Sequence, residues 1–255
     1  MNQALLIAHT TFREAVRDRV LTGIAIGGLL LIGLTRIASP LAMGEDLRLT
    51  VDFGLSTISG LGMIVVLLVG SSLVAKEIER KTIFNLLSRP LARPVYLLGK
   101  WLGLSGALCT VALVLGTALV LLVALLGHAG FTLAIGEAVY LACLELVVVT
   151  SIAVMFSALS TPVLSALYTL GLFLAGQWCD DLRTFAAHAP GSLRTLLDAI
   201  ASVLPNLPLF NMRALAAAGT TTTALHLGLA TLYAALYSGS VLMLGTAAFE
   251  SRDFK

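Results

Sequence analysis

Charge is what this sequence has least of. Only 12% of its 255 residues are Asp, Glu, Lys or Arg, about half the share of a soluble globular domain. Sixteen Lys and Arg against 14 Asp and Glu leave a net charge of +2, too little to line a basic nucleic-acid groove. Cysteine is scarce as well. Cys109, Cys143 and Cys179 are scattered with no C-x-x-C, which excludes a disulfide framework and a zinc site. No G-x-x-x-x-G-K-[ST] occurs, since the one Gly-Lys, Gly99-Lys100, runs into Trp101, so the chain has no phosphate-cradling loop of its own. H-E-x-x-H, G-x-S-x-G and D-x-[DN]-x-[DN]-G are missing too, and with them the common hydrolase and calcium signatures. His9, His128, His188 and His226 are far apart. Asp180, Asp181 and His188 come nearest to a metal set, and in a loop they read as solvated charges. The expectation is a chain that is not itself an enzyme, with no metal and no cofactor.

What is abundant is apolar surface. Hydrophobic residues make up 58% and the mean hydropathy is +0.97, more than a protein of this length can hide from water. The expected fold is all-α and integral to a membrane, one transmembrane domain over 1–255. A crossing takes about 20 mostly apolar residues, and six stretches qualify: about 20–38, 54–75, 101–126, 138–158, 161–178 and 224–248. Residues 199–218 fall short because Pro205, Asn206, Pro208, Asn211 and Arg213 interrupt them; such backbone is tolerated at membrane depth only inside protein or water. They read as a re-entrant or interfacial part of a loop spanning 179–223. Lys and Arg near the span ends set orientation. Eleven of the 16 precede span one, lie in 76–100 or follow the last span, so both termini and that loop are expected in the cytoplasm. No cleaved signal peptide is implied: the first apolar run is too long and lacks an A-x-A site.

Two cytoplasmic segments have helical patterns. In 4–19, Leu5, Ala8, Phe12, Ala15 and Val16 share one face while Arg13, Glu14, Arg17 and Asp18 lie elsewhere, the mark of an amphipathic helix in the lipid headgroup layer. The loop from 76 is more informative. Glu77 and Lys81 form a favourable i,i+4 pair, Ile83, Phe84, Leu86 and Leu87 make an apolar knob, Pro90 ends the helix and Pro94 opens the next one. Exposed apolar anchors flanked by charge suit helix-in-groove docking to a partner; a loop helix packed on lipid or on its own spans is the plainer alternative.

The string K-E-I-E-R-K-T-I-F-N-L-L-S-R-P-L-A-R-P-V-Y-L-L-G-K-W-L-G, residues 76–103, resembles the signature loop of type-2 ABC transporter permeases. In that family an acidic turn closing span two leads into a coupling helix and an L-G-K opening span three. The segments 204–211 and 249–255 are similar to the family as well. The resemblance implies a permease subunit of an ATP-driven transporter in the bacterial inner membrane, most members being exporters. It implies partners too: cytoplasmic ABC ATPase subunits, which hold ATP and Mg, and a second permease copy or paralogue. By position, the ATPase-contacting coupling helix comprises Lys76, Glu77, Glu79, Arg80, Ile83, Phe84, Leu86, Leu87 and Arg89. The chain lacks the Glu-Gly-Gly-Thr-Leu run of the branch serving nitrous-oxide-reductase maturation.

Glu145 is the carboxylate deepest in an expected span. An ionised acid there costs roughly 2.5–3.5 kcal/mol on insertion scales, so it is expected either in a translocation path or in a buried polar contact. Such a contact is expected as a hydrogen bond to a neighbouring helix or as a pair with Arg36, near the far end of span one. Gly23-x-x-x-Gly27 and Gly99-x-x-x-Gly103 permit close helix approach. In the outer loop Ser192 reads as an N-cap, and Leu193, Leu196, Leu197, Ile200 and Leu204 repeat at helical spacing. The spans carry few polar groups, which favours a lipid-like or amphipathic cargo. The alternative from another class is a membrane enzyme or a non-transporting scaffold acting through its outer loop.

Overall fold

The computed structural model describes residues 3–38, 46–75, 93–188 and 190–250, and among these every regular element is helical. The order is α1 (Gln3–Arg17), α2 (Arg19–Ala38), α3 (Asp46–Val65), α4 (Arg93–Leu125), α5 (Thr132–Leu159), α6 (Pro162–Gln177), α7 (Cys179–His188), α8 (Gly191–Val203), α9 (Arg213–Ala217) and α10 (Ala224–Glu250). A single π-helical turn, Val66–Gly70, prolongs α3, and short 3-10 turns lie at Ala129–Phe131 and Leu207–Phe210.

Five of the described helices are long and apolar enough to cross a membrane: Arg19–Ile37, Asp46–Gly70, Pro94–Leu125, Ala129–Leu159 and Ala224–Phe249. The remaining apolar length is broken. Pro162–Gln177 meets Cys179–His188 at a 53° bend, and Leu193–Val203 meets Leu207–Ala217 at 50°. Counting each bent pair as one crossing raises the total to seven, so the expected six falls inside the range of five to seven. Several helices outrun their apolar runs. α3 starts eight residues before the expected span, with Asp46, Arg48 and Asp52 in its first two turns, and α4 starts at Arg93 with Pro94 in its first turn. The 33 residues of α4 extend to about 50 Å, well beyond a bilayer core of about 30 Å.

The centre of the bundle is α5, 72% of whose membrane-length window is buried against 17% for α2. It packs on α4, α10, α6 and α3, and α2 lies outside, on α3 and α4. The main core runs through Val51, Leu55, Ile58, Leu104, Leu108, Leu115, Leu119, Ile135, Leu141, Leu146 and Val149. A second cluster sits where α3 and α4 face the connection 76–92, called here the loop end: Val74, Tyr96, Leu97, Val154, Ala158, Leu242 and Phe249, with Ile7 and Trp101 against them.

α1 differs from a plain surface helix. It lies on α4, where a Cβ added at Gly103 would sit 2.5 Å from the Ala8 carbonyl oxygen and one at Gly99 2.7 Å from Ile7 Cβ. The Gly99-x-x-x-Gly103 spacing therefore serves an approach within this chain. Gly23 and Gly27 meet nothing within 4 Å. Thr11 and Ala15 are buried while Leu5 and Val16 stay exposed, because a glycine groove admits small side chains and leaves larger ones outside. Likewise α8 begins at Gly191 after Pro190, with no side-chain cap, so Ser192 lies in the first turn. Leu193, Leu196, Ile200 and Val203 of its apolar face point away from the bundle.

Candidate functional site

Lys76, Glu77, Glu79, Arg80, Ile83, Phe84, Leu86, Leu87 and Arg89 all lie outside the described residues. What the structure does describe is the frame on either side of them. Val74 and Ala75 are buried before the loop, and Tyr96 and Leu97 after it, in the loop-end cluster. Lys100 is buried too, its ammonium 5.8 Å from the Tyr96 ring centroid. Three hydrogen bonds, made by the side chains of Ser157 and Trp101, tie this frame to α5. The Val74 and Ala75 backbone N–H groups both donate to Ser157 Oγ, at 3.0 and 3.1 Å. Trp101 Nε1 donates to the Val147 carbonyl at 3.1 Å.

The second assembly lies halfway along α5. Glu145 is 4% exposed and its carboxyl accepts a 2.8 Å bond from Gln177 Nε2 at the end of α6. Ser59 of α3 bonds to it as well, and the Arg213 guanidinium of α9 acts on it electrostatically. Arg213 Nη1 in turn donates to Ser56 Oγ at 3.2 Å, one helical turn from Ser59 on the same face of α3. Four elements far apart in the chain thus meet at one acid. The cation that acts on Glu145 is Arg213; Arg36 sits in the last turn of α2, a helix packed on α3 and α4.

Arg213 arrives there because the chain between α8 and α10 folds back into the bundle. Leu207 and Phe210 are buried. Pro205 lies so close to α6 that a Cβ at Gly176 would be 2.8 Å from both its ring and its carbonyl oxygen. Polar ties from α10 hold the segment: Asn206 N–H donates to Tyr233 Oη at 2.8 Å, Tyr237 Oη to the Val203 carbonyl at 3.2 Å, and His226 Nε2 to the Leu209 carbonyl at 3.1 Å. Beyond it, Thr222 N–H donates to Glu137 Oε2 at 2.7 Å. Backbone that leaves regular helix inside an apolar bundle must find such partners.

Sequence reasoning singled out Glu145 but passed over Gln177, Ser56, Ser59 and Arg213 as its neighbours. The one available signal was Arg213, a cation in an otherwise apolar stretch with no acid close in sequence. Ser157 carried no signal, being one hydroxyl among many in apolar helices. Among the described residues no group of three or more His, Cys, Asp or Glu could hold a metal ion, and the three cysteines are free.

A family model described as ABC-2 family transporter protein matches residues 26–179, from α2 to the start of α7. No curated protein matches the chain.

Proposed function

The chain belongs to the ABC-2 transporter family, a permease of an ABC transporter, and from that premise we propose a specific working arrangement. It spans the bacterial inner membrane six times with both termini in the cytoplasm. It pairs with a second permease, a copy or a paralogue, and exports a lipid-like or amphipathic substrate. ATP and Mg are bound by separate cytoplasmic ATPase subunits that seat on 76–89.

The count of six rests on depth. Gln177 reaches Glu145, 13 residues or about 20 Å from the start of α5. α6 therefore ends near mid-membrane, and α7 adds about 15 Å beyond the bend. Together they make one broken span. Cys179 Sγ lies 3.6 Å from the Ala201 carbonyl, which supports reading 191–217 as re-entrant. α1, with its basic residues, runs along the cytoplasmic headgroups as far as its seat on α4 allows.

One observation supports the coupling role: the residues that flank 76–92, Val74 on one side and Tyr96 and Leu97 on the other, share an apolar cluster with residues of α1, α5 and α10. A partner closing on that loop acts on four helices at once. An ATPase that binds the closed loop better than the open one shifts the permease toward the closed state by that difference in affinity. Phe84→Asp and Leu87→Asp each place a charge in the apolar knob. Both variants are expected in the membrane at normal levels, with co-purification of the ATPase lost. Stoichiometric ATPase on both variants overturns the docking role, and native chain that purifies without any P-loop partner favours the scaffold alternative.

A further inference from the structure

The path of the backbone into the loop assigns a role to Ser157. α3 does not run rigidly into 76–92. At Val66 the helix widens into one π-turn, whose closing bond is Ser71 N–H to the Val66 carbonyl at 3.2 Å. It then tightens, with Ser72 N–H bonded to the Val69 carbonyl and Leu73 N–H to Gly70, each at 3.3 Å. A wide turn followed at once by a tight one is a place where a helix bends easily, and π-turns are found disproportionately at such positions. After this turn the Val74 and Ala75 N–H groups both donate to Ser157 Oγ. Ser157, Val74 and Ala75 are all buried, so no solvent can replace that hydroxyl.

The far end of the loop bears on the same helix. Trp101, two turns into α4, is bonded to the Val147 carbonyl of α5, and Tyr96 and Leu97 pack with Val154 and Ala158 of α5. α5 continues from Ser157 to Glu145, 12 residues or about 18 Å away, which holds the end of α6 through Gln177 and faces the Arg213 guanidinium of α9. One helix therefore touches both ends of the loop and the polar cluster in the other half of the bundle.

We propose that Ser157 is the positioning residue that ties Val74 and Ala75 to α5, so that a displacement of these two residues moves α5 relative to α3, with the π-turn at Val66–Gly70 as the hinge between them. This rests on the permease reading above and specifies which helix takes up the motion. Ser157 touches neither substrate nor nucleotide; it acts through the backbone it holds.

The test uses the chain together with the ATPase that co-purifies with it, in nanodiscs, with spin labels at Phe53→Cys on α3 and Leu133→Cys on α5, both exposed. The native cysteines are replaced by alanine. The readout is the change in label distance between the nucleotide-free complex and the complex trapped with ATP and vanadate. The native complex is expected to show a clear shift. Ser157→Ala is expected to keep ATPase binding and hydrolysis and to shrink that shift about threefold, and Ser157→Thr, which keeps the hydroxyl, is expected to restore it. A full shift in Ser157→Ala overturns the proposal, as does a native complex that hydrolyses ATP with no α3–α5 displacement. A Ser157→Thr variant as defective as Ser157→Ala assigns the effect to packing and overturns it as well. Failure to recover any ATPase with the native chain is a different result, and defeats the permease reading itself.

Discussion

The two halves of this bundle are held together by different physics. At the loop end the fastenings are backbone and shape: α1 lies in a groove of Gly99 and Gly103, two amide groups share Ser157, and Phe249 is sealed among Val74, Tyr96, Leu97 and Leu242. Half a membrane away the fastenings are side-chain charge and polarity: Glu145, Gln177, Arg213, Ser56 and Ser59 from four elements. Close packing is intolerant of changes in volume, whereas a buried polar cluster depends on the signs of its charges and is costly when half-satisfied. A transporter has a use for both. A tight end can receive force without deforming, and a polar seam can break and re-form between discrete states.

The sharpest way to break the comparison is at Glu145. Glu145→Arg sets two cations side by side in a buried site and is expected to destabilise the protein by about 3–5 kcal/mol, the cost of an uncompensated buried charge. Adding Arg213→Glu restores opposite signs and is expected to recover at least about 1 kcal/mol of that loss. Adding Arg36→Glu is expected to recover nothing. Thermal unfolding of the purified variants in detergent reads all three. Equal rescue by both second-site changes contradicts the assignment of Arg213 as the cation beside Glu145.

How far the sequence could be read depended on the kind of signal. Long apolar runs marked α2 and α10 to within a few residues, because a bilayer-length stretch has one physical use. The same rule missed the first two turns of α3, because a helix does not stop where apolarity stops and hydropathy does not register Asp46 as helical; the start of α4 was marked instead by Pro94, one residue inside the helix that begins at Arg93. Depth along a helix gave Glu145 its height in the membrane but not its direction, so Arg36 looked as suitable a partner as any. Arg213 belonged to a segment whose return into the bundle depends on Pro205 fitting against Gly176 and on bonds from Tyr233 and Tyr237, contacts no local pattern encodes. The coupling residues Lys76 to Arg89 stand on sequence alone. Nothing local marked Ser157, because its role lies in its partners: it accepts from the Val74 and Ala75 N–H groups across 83 and 82 positions of sequence.

The loop end is tested next, by volume. Gly103→Ala drives a methyl group into the Ala8 carbonyl and Thr11 Cβ, 2.5 and 2.6 Å away, and backbone cannot give as a side chain would. The expected loss is about 1–3 kcal/mol, the usual cost of overpacking, with α1 lifted from α4. Gly27→Ala enters open space and is expected to be neutral or to stabilise by up to about 1 kcal/mol through helix propensity. Proteolysis at Arg13 and Arg17 reports the lifting directly: faster cleavage in Gly103→Ala and unchanged cleavage in Gly27→Ala. Equal stability of the two variants removes the glycine groove as the fastening of α1.

The smallest effect is the most local, and it separates the segment 203–210 from the helix that holds it. Tyr233→Phe removes one hydroxyl, the acceptor for Asn206 N–H, in a residue whose ring also packs at 6.1 Å from Phe210 and 5.7 Å from Tyr237. The ring contacts survive the substitution, so only the hydrogen bond is lost, worth about 0.5–1.5 kcal/mol. If 203–210 is a unit that opens by itself, that loss appears as amide exchange roughly tenfold faster across those residues, since 1.4 kcal/mol is a factor of 10 in an opening equilibrium. Exchange along α10 and the thermal midpoint should barely move. If the segment instead opens only with the whole bundle, the same substitution raises exchange evenly in α10, α5 and 203–210, and the polar half is then as indivisible as the loop end.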